Sequence, residues 1–295
     1  MPCKDVVTNM KQRILTSAIG IPIVVVVLLF SDTVVLPFAV GLFAAVGEFE
    51  MLSCIGLRKK LEISVPSVLF AGIVTFASRY ARLALERSSY FLAIFAALAF
   101  VYMFYLLCLA VVSKGTKALG DMALCAVTTI YITAGFTSMI LLRDVNLGTS
   151  DLGLYLFMLV FIGAWVPDAA GYFCGRAFGK HKLIPDVSPK KTVEGAVGGV
   201  IFGGAAFALL GLIVGLAGVA EPKYIPLAVT GVVVAVISIF GDLIASLIKR
   251  QYGIKDYGKL FPGHGGVMDR FDSILAIAPF LMMICSHPEI FSLFR

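Results

Sequence analysis

Apolar residues run along this chain in blocks long enough to cross a bilayer, and polar residues gather in the gaps. A spanning helix needs about 20 mostly apolar residues, with a range of about 17–25. The stretches 14–30, 34–54, 63–78, 89–112, 122–142, 152–167, 193–219, 225–248 and 271–287 meet or approach that length. The third is short. The last is interrupted by Pro279 and trails into His287 and Pro288. The pattern predicts an all-α polytopic membrane protein with about nine transmembrane helices. Residues 1–150 read as N-terminal scaffold helices, and 151–295 as a catalytic membrane region with two cytoplasmic polar loops.

Composition strengthens that reading. The 295 residues are 60% hydrophobic and only 14% charged, against about 25% charged in soluble domains. Mean hydropathy is +0.99. A soluble domain is excluded. The 6 cysteines include no C-x-x-C pair and sit mostly in or beside apolar runs. They read as small hydrophobes, not as a disulfide framework or a zinc site. Lys4, Lys11 and Arg13 before the first apolar run imitate a signal peptide, but a second run follows almost at once. No small-residue cleavage site stands out, so an uncleaved first span is expected.

Charge then sets the orientation. With the N-terminus cytoplasmic, nine spans place eighteen of the 24 Lys and Arg residues on the cytoplasmic side. The positive-inside rule supports that arrangement. Arg79, Arg82 and Arg87 are the misfit: an interfacial amphipathic piece or a misplaced early span would each explain them. Glu48 and Glu50, near a cytoplasmic helix end, either line a polar cavity or sit at the interface.

From Trp165 the character changes. Asp168 ends the sixth expected span. A basic, glycine-punctuated loop follows, with Gly175-Arg176, Gly179-Lys180-His181-Lys182 and Ser188-Pro-Lys190-Lys191-Thr192-Val-Glu194-Gly195. Such glycines let backbone amides approach phosphate oxygens, and the cations neutralise them. An ordinary positive-inside loop has the same composition. Ser188 and Thr192 are both candidate helix caps. Gly195, Gly199 and Gly203 share one face of the seventh span, which suits close helix packing.

Asp242 lies about two turns inside the eighth span. A lone carboxylate there costs several kcal/mol, so it needs a partner. Ser246 and Arg250 follow at i+4 and i+8 on the same face. A structural pair with Arg250 or a lysine is one reading; a metal ligand facing a polar cavity is the other.

The stretch from Ser246 to Asp272 holds five cations, three acids, a histidine and five glycines. Hard divalent cations such as Mg²⁺ take carboxylate and phosphate oxygens. Asp242, Asp269 and Asp272 can supply the first kind if the loop folds back on the eighth span. Lys249, Arg250, Lys255, Lys259 and Arg270 can then hold a polyphosphate, which suits in-line displacement at phosphorus. His264 is either an acid/base or phosphate donor or a turn residue. No Walker A loop and no nucleophile elbow compete.

Written out, the stretch reads S-x-I-K-R-x₄-K-D-x-G-x-x-F-P-G-H-G-G-x-x-D-R-x-D. It resembles the signature of the phosphatidate cytidylyltransferases, the CDP-diacylglycerol synthases. D-x-x-G-Y-x-x-G-R from Asp168, S-P-K-K-T-x-E-G from Ser188 and the Gly241-Asp242 pair resemble the same family. The aromatic that often follows the threonine in that family is Val193 here. The resemblance implies a many-helix membrane enzyme that converts CTP and phosphatidate to CDP-diacylglycerol and pyrophosphate with Mg²⁺. It implies metal ligation by Asp242 and Asp269, with Asp272 as a further candidate. Lys249, Arg250, His264 and Arg270 carry over as candidate catalytic residues. Asp168, Lys190, Lys191, Thr192, Glu194, Ser246, Lys255, Asp256 and Lys259 carry over as candidate substrate contacts. The expected partners are CTP, phosphatidate, the lipid bilayer and a second copy of the chain as a homodimer, with no nucleic acid. A bacterial plasma membrane is the expected location.

Two other classes fit less well. A CDP-alcohol phosphotransferase would show D-x₂-D-G-x₂-A-R, which is absent, and a CTP-dependent polyprenol or phytol kinase would lack the full signature. A transporter or channel would use Asp242 in an ion path but has no need of the dense Lys, Arg and Asp loop.

Overall fold

The computed structural model describes residues 22, 25–84, 88–113, 119–145, 152–287 and 291–294. Most of the first expected span lies outside them, as do Lys4, Lys11, Arg13, Arg87, Lys114, Lys117 and Arg295. The described residues form helices α1 (Val35–Cys54), α2 (Leu61–Ala84), α3 (Ser88–Val112), α4 (Leu119–Arg143), α5 (Leu152–Phe178), α6 (Val193–Leu216), α7 (Tyr224–Gln251) and α8 (Met268–Cys285), with a short hairpin of β1 (Lys182–Ile184) and β2 (Ser188–Thr192). Seven of the helices are long and apolar enough to cross a membrane. This is the all-α polytopic architecture the apolar blocks predict. The eighth helix, α8, carries Asp269, Arg270 and Asp272 in its first turns.

Helix ends differ from expectation at the prolines. Asp168 does not end its span: α5 runs through Pro167 to Phe178. Likewise Pro279 does not interrupt α8. Each proline removes one backbone donor, but membrane helices tolerate this because neighbours re-satisfy the freed carbonyl. The arginine misfit also resolves in part. Helix α2 continues unbroken past Arg79 and Arg82. Arg79 is buried, and its Nη1 donates to the carbonyls of Ser31 and Thr33, both at 2.8 Å, in the turn before α1.

The chain divides into two compact units, 1–140 with 254–270, and 141–253 with 271–295. In the first, α1 and α2 cross closely: a Cβ on Gly41 would lie 3.0 Å from the Gly72 carbonyl oxygen. Helix α3 has no charged residue and presents a mostly exposed apolar surface suited to lipid. Helix α4 is the most buried of the candidate spans. Thr128, Thr129 and Thr133 donate back to carbonyls of their own helix, as when Thr133 donates to the Thr129 carbonyl at 2.7 Å. Glu48 is fully buried there and accepts from Thr129 Oγ1 at 2.7 Å.

In the second unit, α6 is the central helix, packed on α5 and α7 through its small residues. A Cβ on Gly199 would lie 2.8 Å from the Pro167 carbonyl oxygen, and one on Gly203 would lie 2.7 Å from Ala235 Cβ. The packing role expected for Gly195, Gly199 and Gly203 is therefore what the structure uses. Thr192 caps α6: its backbone is extended and its Oγ1 accepts from the Gly195 amide at 3.1 Å.

Candidate active site

The second unit gathers a charged cluster from four elements. Gly241 lets α7 and α8 approach, since a Cβ there would meet Ala276 Cβ at 2.9 Å and the Asp272 carbonyl oxygen at 3.1 Å. Ser273 Oγ ties the same helices by donating to the Ser238 carbonyl at 3.2 Å. This crossing brings Asp242 and Asp272 to one place. Strand β2 adds Lys191, whose Nζ stands 2.6 Å from Asp242 Oδ2. Asp168, from α5, interacts electrostatically with Lys191 and Asp242. Asp272 interacts with Asp242, Lys249 and Asp168. Ser246 approaches Asp242 Oδ1 only at 3.5 Å.

Three carboxylates thus face two lysines. Their mutual repulsion, strengthened where water is scarce, favours a further cation. The donors are hard oxygens of the kind Mg²⁺ takes. Among the described residues, no three His, Cys, Asp or Glu side chains form a ready-made metal cage.

Arg250 does not share this face. It is exposed, while Lys249 is buried. Helix geometry explains the exchange: at 3.6 residues per turn, i+7 falls about 20° from Asp242 and i+8 about 80° away. The partner of Asp242 is Lys191, from a different element. Lys190, next to it on β2, is exposed. Glu194 turns instead to His181, with Oε1 at 2.7 Å from Nδ1. The glycines expected to bring amides to phosphate have another use here. A Cβ on Gly175 would lie 2.8 Å from Thr192 Oγ1, and one on Gly195 would lie 2.6 Å from the Gly171 carbonyl oxygen. They let the end of α5 pack on the hairpin and on α6.

The first unit holds the other half of the signature. Asp269 Oδ2 accepts from the amides of Tyr257 at 2.8 Å and Gly266 at 3.0 Å. Between them the chain makes a tight turn, in which His264 N donates to the Phe261 carbonyl at 2.8 Å. Gly263 and Gly265 have φ of 76° and 86°, a left-handed conformation that favours glycine. His264 sits inside this turn, and its buried Nδ1 has no hydrogen-bond partner among the described residues. Lys255, Asp256, Lys259 and Arg270 are exposed on the same segment.

Glu50, which the sequence leaves open between a polar cavity and the interface, packs against this segment. Glu50 is buried near the end of α1, and its Oε2 accepts from the Met268 amide at 3.0 Å. Nothing local signals the pairing, because its partners lie 218 positions away. His181 reads in sequence only as part of the basic loop; its proximity to Glu194 in the fold draws it out.

Seven apolar helices define a multi-pass membrane protein, and its second unit holds a cluster of carboxylates and lysines. Comparison with known proteins narrows the class. The Cytidylyltransferase family matches residues 11–287, and the chain belongs to that family. It is 32% identical over 280 residues to the phosphatidate cytidylyltransferase of Bacillus subtilis (strain 168), covering 94% of this chain and 97% of that protein. The Staphylococcus haemolyticus (strain JCSC1435) phosphatidate cytidylyltransferase is 34% identical over 278 residues, covering 93% of this chain and 98% of that one. A Haemophilus influenzae phosphatidate cytidylyltransferase is 44% identical over a shorter stretch of 131 residues, 43% of this chain and 44% of its own.

Proposed function

We propose that this chain is an integral-membrane nucleotidyltransferase that makes CDP-diacylglycerol and pyrophosphate from CTP and phosphatidate in phospholipid biosynthesis. The observation that carries the reading is the end-to-end match to proteins of that name, 94% of this chain against 97% of the Bacillus subtilis relative. The bacterial relatives support a bacterial plasma membrane as the location.

The chemistry is an in-line displacement. An oxygen of the lipid phosphate attacks the α-phosphorus of CTP, a new P–O bond forms, and the bond to the β-phosphate oxygen breaks to release pyrophosphate. Both substrates are anionic, so charge must be neutralised before they meet. Lys191 and Lys249 are placed to do this in the second unit, where each already faces a carboxylate. The exposed Lys190 and Arg250 are suited to first capture of a phosphate from water.

Mg²⁺ is the proposed cofactor. Asp242 and Asp272 would hold it in the second unit, and the family resemblance adds Asp269 as a candidate. When bound, such an ion would draw charge from the phosphates and favour departure of pyrophosphate. Asp269 Oδ2 accepts from two loop amides, so the same carboxylate also shapes the loop. A homodimer is proposed from the resemblance, and a mass measurement in detergent tests it.

The purified protein, supplied with CTP, phosphatidate and Mg²⁺, is expected to release pyrophosphate only when phosphatidate is present. CTP consumption supported by a polyprenol but not by phosphatidate would overturn the reading, as would no CTP consumption at all.

A further inference from the structure

Glu50 lies outside the signature motifs, yet the signature segment is built against it. In the first unit, Glu50 Oε2 accepts from the Met268 amide at 3.0 Å, and the carboxylate also takes the Val267 amide. These amides open α8. The first amides of a helix have no partner within it. Val267, which precedes the helix, carries no side-chain acceptor to cap it. A carboxylate there also interacts favourably with the helix dipole.

Two glycines of the signature point to the same residue. At Gly258 and at Gly266, the atoms that an added Cβ would meet first all belong to the Glu50 carboxylate or the carbon next to it. Neither glycine has the positive φ that would itself require glycine. Gly263 and Gly265 do, so the signature's glycines serve two different purposes. Gly47, one turn before Glu50, receives Met268: a Cβ there would lie 3.3 Å from Met268 Sδ. Val267 and Met268 are themselves buried.

We propose that Glu50 is the positioning residue of the signature segment: its carboxylate caps α8 from a distant helix, and Gly258 and Gly266 are glycines so that the segment can close on it. Glu50 touches no reacting atom in this assignment. It fixes the start of the helix that carries Asp269 and Asp272. The assignment rests on the cytidylyltransferase reading only where turnover is the readout.

The test uses the full chain in detergent micelles with Glu50→Ala, Glu50→Gln, Gly266→Ala and the double variant Glu50→Ala/Gly266→Ala. Hydrogen exchange is followed in peptides covering 257–268 and in α1, and kcat and KM for CTP are measured per folded molecule. Glu50→Ala is expected to speed exchange of the Val267 and Met268 amides. It should lower kcat by about 10- to 100-fold, the range typical of partners that orient metal ligands, with little change in KM. Glu50→Gln keeps one acceptor oxygen and should retain part of the rate. Gly266→Ala alone should be damaging, because its methyl meets both Glu50 oxygens. In the double variant that methyl has no carboxylate to meet, so the double should be no worse than Glu50→Ala. Unchanged exchange at Val267 and Met268, or losses that simply add in the double variant, would overturn the assignment. If the wild-type protein shows no turnover, the functional reading fails, and the exchange data alone then decide the role of Glu50.

Discussion

Carboxylates do opposite work in the two units. In the first, Glu50 and Asp269 accept from backbone amides, and each fixes a piece of chain. In the second, Asp242, Asp168 and Asp272 lie among the lysines Lys191 and Lys249 and among one another. A carboxylate held by amides is satisfied and builds shape. Carboxylates crowded together with fewer cations than anions are poised for a ligand that brings charge. The signature combines both kinds within a few residues of α8, which is why its aspartates look equivalent in one dimension.

Substitutions separate the two kinds of carboxylate. The largest effect is expected for Asp242→Asn, which removes the partner of Lys191 and a proposed metal ligand; turnover should fall at least about 100-fold in protein that still inserts and folds. Near wild-type turnover would show that the second-unit cluster is structural only. Asp269→Asn should also lose most turnover, while hydrogen exchange in 257–268 stays slow, since asparagine keeps an oxygen for the two amides. Rapid exchange there would mean that the charge itself holds the loop. Lys249→Ala should cost about 10-fold or more, and Arg250→Ala clearly less, because only Lys249 is buried beside Asp272. Equal losses would restore the arginine to the site. The smallest effect is expected for Thr192→Ala, which removes the α6 cap and should cost about 1 kcal/mol in unfolding experiments; Thr192→Ser should restore it.

The helices were legible because apolar length is a local property, readable wherever a block reaches span length. Their ends were less so. Pro167 and Pro279 look like terminators by the rules for water, and in α5 and α8 they are not. The hairpin was hidden because Ser188-Pro-Lys-Lys has no strand pattern and forms one only by pairing with Lys182–Ile184. The residue types of the site were readable from the spacing of Asp, Lys and Gly. Their partners were not. Asp242 had a plausible arginine on its own helix and took Lys191 from β2. Glu50 reads in sequence as a cavity or interface acid, but its partners are amides, which no side-chain pattern announces.

Transfer of a cytidylyl group to a lipid phosphate is decided by comparing CTP labelled at the α-phosphate with CTP labelled at the γ-phosphate, each incubated with the purified protein, phosphatidate and Mg²⁺. The α-label should enter the lipid phase in proportion to phosphatidate consumed, and the γ-label should stay in water as pyrophosphate. Transfer of the γ-label to lipid, or of neither, would contradict it.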